Sequence, residues 1–187
     1  MGLKNILAEK KNDILSSWFD SILDTYPADT AKFFKSQKDR FANPVGQTIH
    51  EGIEGIYQEL IEEGGIEKVS GFLDAIIRVR AIQDFSPSRA VSFIFFLKTV
   101  IRKEIKDVPV DARLADELSA LESQIDSLAL IAFDIFMQCR EKLYDIKANE
   151  MRNMTYRLLK NANMVTETEG AEQERKFITI QKKEVDT

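Results

Sequence analysis

Apolar side chains recur every three to four residues along most of this chain, the period that lines up one face of an α-helix, and strand-type alternation is missing ahead of the C-terminal tail. The spacing predicts six helices, at about 3–25, 28–37, 44–63, 66–83, 87–106 and 112–161. The first carries the stripe Ile6, Leu7, Ile14, Leu15, Trp18, Ile22 and Leu23. Proline marks the boundaries. Asn43-Pro44 and Ser86-Pro87 read as an N-cap followed by a first helical residue, where a missing N–H does no harm. Pro27 and Pro109 also fall between stripes, Asp111 stands where it can cap the sixth helix, and Gly64-Gly65 suits a C-terminal stop.

The sixth predicted helix is the most informative. Leu114, Leu118, Leu121, Ile125, Leu128, Ala132, Ile135 and Cys139 keep an unbroken 4-3 spacing, and Leu143 and Ile146 continue it after a slip of one position. Met151, Met154 and Leu158 then offer a narrow stripe. Some fifty helical residues would reach about 75 Å, whereas a compact chain of this size has a radius of gyration of about 16 Å. The helix must break, project or pair with another chain. Its middle, 128–137, is apolar nearly all round, with Asp134 the only charge, which suggests burial between two surfaces. Residues 165–176 are polar and acidic, so a flexible tail is expected over 164–187. Within it, Phe177-Ile178-Thr179-Ile180 either could add a strand to a partner's sheet edge or is a chance cluster in a frayed end.

Composition narrows the function more than the fold. With 26 basic and 31 acidic residues and a formal net charge of −5, the chain carries no electrostatic footprint for nucleic acid or an anionic membrane. A single cysteine, Cys139, excludes an internal disulfide, and no Cys/His cluster exists for zinc. The first eleven residues lack the apolar stretch of a signal peptide, and Ile6 stands where a myristoylation signal needs Ser or Thr. The densest apolar runs, 93–97 and 128–133, are too short to span a bilayer. A cytoplasmic protein without membrane insertion is expected.

Few residues offer chemistry. His50 is the only histidine, and it lies on the flank of the apolar face made by Val45, Ile49, Ile53, Ile56 and Leu60, the place of a half-exposed surface residue. No haem, metal or other cofactor is expected. Gly52 and Gly55 each cost the same helix about 1 kcal/mol relative to alanine, which close helix packing or a small ligand gap would explain. Arg80 follows Ile76 by four and Ile77 by three, so it points inward and needs a partner. Asp84 or Glu104 could pair with it at the corner between the fourth and fifth helices. Alternatively Arg78, Arg80 and Arg89 could hold an anion or carboxylate ligand. Phe93, Phe95 and Phe96 point in nearly every direction, so core packing can absorb only some of them. The sequence contains no nucleophile–base pair, phosphate-cradling glycine loop or metal-spaced carboxylate set, so no enzyme is expected.

Two stretches carry a resemblance. One is Tyr26-Pro27-Ala28-Asp29-Thr30, followed by Phe41-Ala42-Asn43-Pro44-Val45-Gly46. The other is Arg78-Val79-Arg80-Ala81-Ile82-Gln83-Asp84-Phe85-Ser86-Pro87-Ser88, followed by Phe93 and Leu97-Lys98. Together they resemble the N-terminal domain of RsbRD-type co-antagonists of RsbT, bacterial stress-signalling proteins, over about 13–144. The resemblance implies a sensory module with a globin-like helical fold, no haem and a dimeric state. It attaches no catalytic or cofactor-binding residue to these positions. In that family a STAS domain follows and carries the phosphorylated threonine and the partner surface. The stretch after the resemblance here is too short and too polar for one, so a free-standing version is expected.

The combined expectation is an all-α, globin-like bundle of about six helices with a long C-terminal helix. It is divided into a helical sensory and interaction domain at 1–146, a helix extension at 147–163 and a polar tail at 164–187. The expected function is a non-enzymatic bacterial regulatory or accessory module that binds an unidentified protein partner in signalling. The alternative is a sensor binding a small apolar or anionic ligand. A homodimer is expected on the apolar regions of the first, fifth and sixth helices, with Phe93, Phe95, Phe96, Ile131 and Met137 as interface candidates.

Overall fold

The computed structural model describes residues 2–37, 39–62, 66–83 and 85–161. They form seven α-helices and, among the described residues, no strand: α1 (Leu3–Glu9), α2 (Lys11–Leu23), α3 (Ala28–Ser36), α4 (Pro44–Glu62), α5 (Ile66–Ile82), α6 (Pro87–Glu104) and α7 (Ala112–Asn161). The chain divides into two units, Met1–Glu141 and Lys142–Thr187. Gly64-Gly65, the polar tail and its Phe177-Ile178-Thr179-Ile180 cluster lie outside the described residues.

The helix boundaries follow the prolines. Pro44 and Pro87 open α4 and α6, Pro27 is the N-cap of α3, and Pro109 stands just before α7. Asp111 caps α7, its Oδ1 accepting the Leu114 N–H at 2.7 Å. Ser86 occupies the N-cap of α6 in an extended conformation, but its side chain makes no cap bond and lies instead 3.3 Å from the Ser88 hydroxyl.

Seven helices replace the expected six because the first one breaks at Lys10, where ψ rises to 10°. The break has a tertiary cause. Tyr57 of α4 donates its hydroxyl to the Leu7 carbonyl at 2.9 Å, the oxygen that the Lys11 N–H would reach in an unbroken helix. The kink turns Leu3, Ile6 and Leu7 into the core. It also brings the Leu3 N–H to Glu117 Oε2 of α7 at 2.7 Å, satisfying one of the free donors at the start of α1.

The core of the first unit forms around Trp18, Ile22, Ile49, Ile53, Leu73, Ile76, Phe93, Ile125 and Phe136, all fully buried. Trp18 stacks on Phe93 with ring centroids 6.4 Å apart, and its Nε1 donates to the Phe93 carbonyl at 2.6 Å. The α4 glycines are explained by close packing. A Cβ at Gly52 would stand 2.6 Å from Ile76 Cδ1, and one at Gly55 would stand 2.5 Å from the Phe72 ring. On α7 the stripe from Leu114 to Ala132 is buried, while Ile135 and Cys139 are half-buried against the same core. In the second unit, Tyr144, Ile146, Met151, Met154 and Leu158 are all exposed. Among the described residues, no helix is long and apolar enough to cross a membrane.

Candidate functional site

Two polar side chains are buried among the described residues, Asn43 and Arg80, and Arg80 is fully enclosed. The helical phase that puts Ile76 and Ile77 into the core carries Arg80 in with them. Its guanidinium carbon sits 4.2 Å from the centre of the Phe85 ring, 5.5 Å from that of Tyr26 and 5.6 Å from that of Phe93. Such rings attract a cation through their negative faces. Nη2 donates to Thr25 Oγ1 at 3.1 Å and to the Arg89 carbonyl at 3.0 Å. Nε and Nη1 are shut off from solvent and, among the described residues, make no hydrogen bond of ordinary geometry, although the Tyr26 side chain stands near enough to favour the charge. A guanidinium has five N–H donors, so two are used and three are not. Burial pulls the Arg80 guanidinium below its usual range, with Tyr26 opposing the shift. Burial also pushes the Tyr26 phenol up, and there Arg80 opposes it.

A cleft of about 610 Å³ adjoins this cage. Tyr26 and Phe85, which face Arg80, also line the cleft, together with Asp24, Thr25, Gln83 and Arg89. The Tyr26 hydroxyl donates to Gln83 Oε1 at 3.1 Å. Its ring meets Phe34 and Phe85 edge-on, each at 5.3 Å. Arg89 is exposed at the start of α6, donates from Nη2 to the Thr25 carbonyl at 3.0 Å and lies 5.5 Å from the Phe85 ring centre. The corner therefore joins α2, α5 and α6 around two arginines and an aromatic wall.

Not every residue named from the sequence comes to this corner. Arg78 is two positions from Arg80, hence on the opposite face of α5, where it pairs with Asp74 at 2.5 Å in solvent. Glu104 accepts from the Ser17 hydroxyl at 3.3 Å and makes no pair with Arg80. Asp84 lies outside the described residues. Among the described residues the acceptors of Arg80 are the Thr25 hydroxyl and the Arg89 carbonyl. Thr25, Tyr26 and Gln83 were not singled out as site residues, although Tyr26 and Gln83 stand in the two stretches quoted for the resemblance. Those stretches meet here.

His50 is exposed and lies edge-on to Phe19 at 5.6 Å. Phe93 leaves the set of interface candidates, because its ring is enclosed by Trp18 and Arg80 in the domain's own core. Phe96 and Ile131 are half-buried against that core, whereas Phe95 and Met137 are exposed. A second cavity, of about 480 Å³, lies where α1 meets α7. Two of its charged groups, Arg113 and Glu117, already satisfy each other. Glu117 accepts from the Leu3 N–H and from Arg113 Nε at 2.8 Å, and these bonds, the Leu3 one first, hold its carboxyl below the usual range. Among the described residues no group of three or more His, Cys, Asp or Glu side chains gathers to hold a metal.

Comparison with known families gives one match. The family described as RsbT co-antagonist protein rsbRD N-terminal domain covers residues 12–151. No curated protein and no solved structure matches the chain.

Proposed function

The chain belongs to the RsbT co-antagonist protein rsbRD N-terminal domain family, a family of regulatory domains, and from that premise we propose that it is a non-enzymatic signalling module that pairs with a second copy of itself through α7 and presents the pair to a protein partner in the cytoplasm. One observation carries the reading. On α7, Leu130, Phe133, Met137, Tyr144, Met151, Met154 and Leu158 are all exposed. In the sequence they keep a single 3-4 register, with Arg140 and Lys147 at the two positions that complete it. This register is offset by two residues from the buried stripe that runs through Leu128 and Ala132, so it occupies a nearly opposite face of the helix.

Isolated exposed apolar residues are ordinary, but seven in one register are not. A repeat of 3.5 residues is the period at which two helices wind around each other with knobs in holes. A second copy supplies a partner helix with the same period, and the shared symmetry makes the pairing self-limiting. The sequence reading had placed the interface partly on Phe93 and Ile131. The exposed register instead supports an interface on the outer face of α7.

Light scattering on the purified chain tests this. The wild type is expected to be a dimer at tens of micromolar, and Met151→Glu combined with Leu158→Glu is expected to give a monomer with the thermal midpoint of the first unit unchanged. A monodisperse wild-type monomer at that concentration would refute the pairing.

A further inference from the structure

We infer that the cleft beside Arg80 is a receptor for a small organic monocarboxylate, with the Arg80 guanidinium as its anion anchor and the Tyr26 and Phe85 rings as the wall that yields to it. The inference is independent of the α7 pairing. Its starting point is the three unused N–H donors of Arg80, held without solvent inside an aromatic cage. A buried cation without a counter-charge is among the least favourable groups a core can hold. No described residue supplies Arg80 with a carboxylate, and its two acceptors are a neutral hydroxyl and a carbonyl. A ligand carboxylate would provide both the missing charge and the missing acceptors.

The cleft sets the rest of the ligand's chemistry. At about 610 Å³ it falls within the range of small-molecule sites. Tyr26, Pro27 and Phe85 give it an apolar side for the ligand's body, and Thr25, Thr30 and Gln83 give it neutral polar groups. Among the described residues, Arg89 and Asp24 in the lining carry opposite charges, and Arg80 behind the Tyr26 and Phe85 wall adds a further positive one. The surplus among the described residues is a single positive charge, which suits a monoanion and works against di- and tri-anions such as phosphate or citrate.

Access requires movement of the wall. Tyr26 is tied at its hydroxyl by the Gln83 bond, and the ring has the cleft beside it to turn into. Once it turns, the carboxylate meets Nη1 and Nε. Thr25 and Arg89, which now hold Nη2 and each other, sit at the end of α2 and the start of α6. Occupancy would therefore shift the corner where three helices meet, as a ligand-reading domain requires. Trp18 lies against Phe93, the third ring of the cage, so its fluorescence reports on the site.

The test is calorimetry and Trp18 fluorescence on the full chain, titrated with acetate, hexanoate and benzoate, with benzamide as the neutral isostere and citrate as the multiply charged control. Saturable binding of at least one monocarboxylate is expected, with benzamide and citrate at least about tenfold weaker. Arg80→Met is expected to weaken it by at least about tenfold. Thr30→Trp, at the rim and outside the core, is expected to do the same by filling the cleft, and it keeps the test valid should Arg80→Met fail to fold. The inference is overturned if none of the three monocarboxylates binds below about 10 mM. It is equally overturned if benzamide binds as well as benzoate, if citrate binds more tightly, or if the folded variants keep wild-type affinity.

Discussion

Asn43 and Arg80 are both polar and both buried, and each stands in one of the stretches that resemble the family, yet they are held in opposite ways. The Asn43 Oδ1 accepts the Gly46 N–H at 2.9 Å, and its Nδ2 donates to the Phe34 carbonyl at 3.0 Å and the Gln37 carbonyl at 2.8 Å. One amide closes the end of α3 and opens α4. Gly46 makes the fit possible, since a Cβ there would stand 2.6 Å from Asn43 Oδ1. Arg80 uses two donors and leaves three. Its neighbours do not depend on it either. The Thr25 hydroxyl has its own bond to the Ile22 carbonyl, and the Arg89 carbonyl also accepts from Ser92 Oγ. A polar group that completes its surroundings is there for the fold. A polar group whose surroundings are complete without it is available for something else.

Three measurements press on this contrast. The largest effect is expected for Asn43→Ala, which leaves two carbonyls and an N–H without partners at a buried corner. It should lower stability by about 2–4 kcal/mol in denaturant unfolding. A loss below about 0.5 kcal/mol would put Asn43 in the same class as Arg80. Arg80→Met comes next, with the opposite sign. It removes a buried charge that no described carboxylate compensates and fills the cage with an apolar chain, so stability should lie between no change and a gain of about 2 kcal/mol. A clear loss would show that the guanidinium holds the corner together after all. The smallest effect is expected in acid. Glu117 and Glu122 have folded-state pKa values lowered by the Leu3 N–H and by Arg102 respectively. Their contribution is present above the unfolded value near 4.5 and disappears as pH falls through the lower folded value. Amide exchange should therefore loosen around Leu3 in that window, while the Gly46 amide stays protected, because neither Asn43 nor Arg80 titrates there.

Much of the fold could be read in the sequence, because its signals are local. Proline and cap residues act within a few positions, and the 4-3 stripe of α7 needs only the helical period. The inward phase of Arg80 was legible for the same reason. What escaped was set by partners distant in the chain. The break at Lys10 depends on Tyr57, which binds the Leu7 carbonyl from fifty residues away. The acceptor Thr25 is 55 residues from Arg80, and no spacing rule connects them. Phe93, Phe95 and Phe96 could not be sorted into core and surface until Trp18 was placed against Phe93. The exposed register of α7 was in the sequence from Leu130 to Leu158, but the stronger buried stripe two residues out of phase obscured it.

The bond from the Leu3 N–H to Glu117 spans 114 positions of the chain. It gives the first helix a history during synthesis. At about 5–20 residues per second, a ribosome takes roughly 6–23 s to travel that distance. Throughout this interval Leu3, Ile6 and Leu7 have emerged, but the acceptor on α7 does not yet exist. Tyr57 reaches the Leu7 carbonyl across only fifty positions, so the apolar turn can dock on α4 well before the Leu3 N–H finds its acceptor. The two ends of α1 are thus secured at different times, the Leu7 end by α4 and the Leu3 end only once α7 has formed.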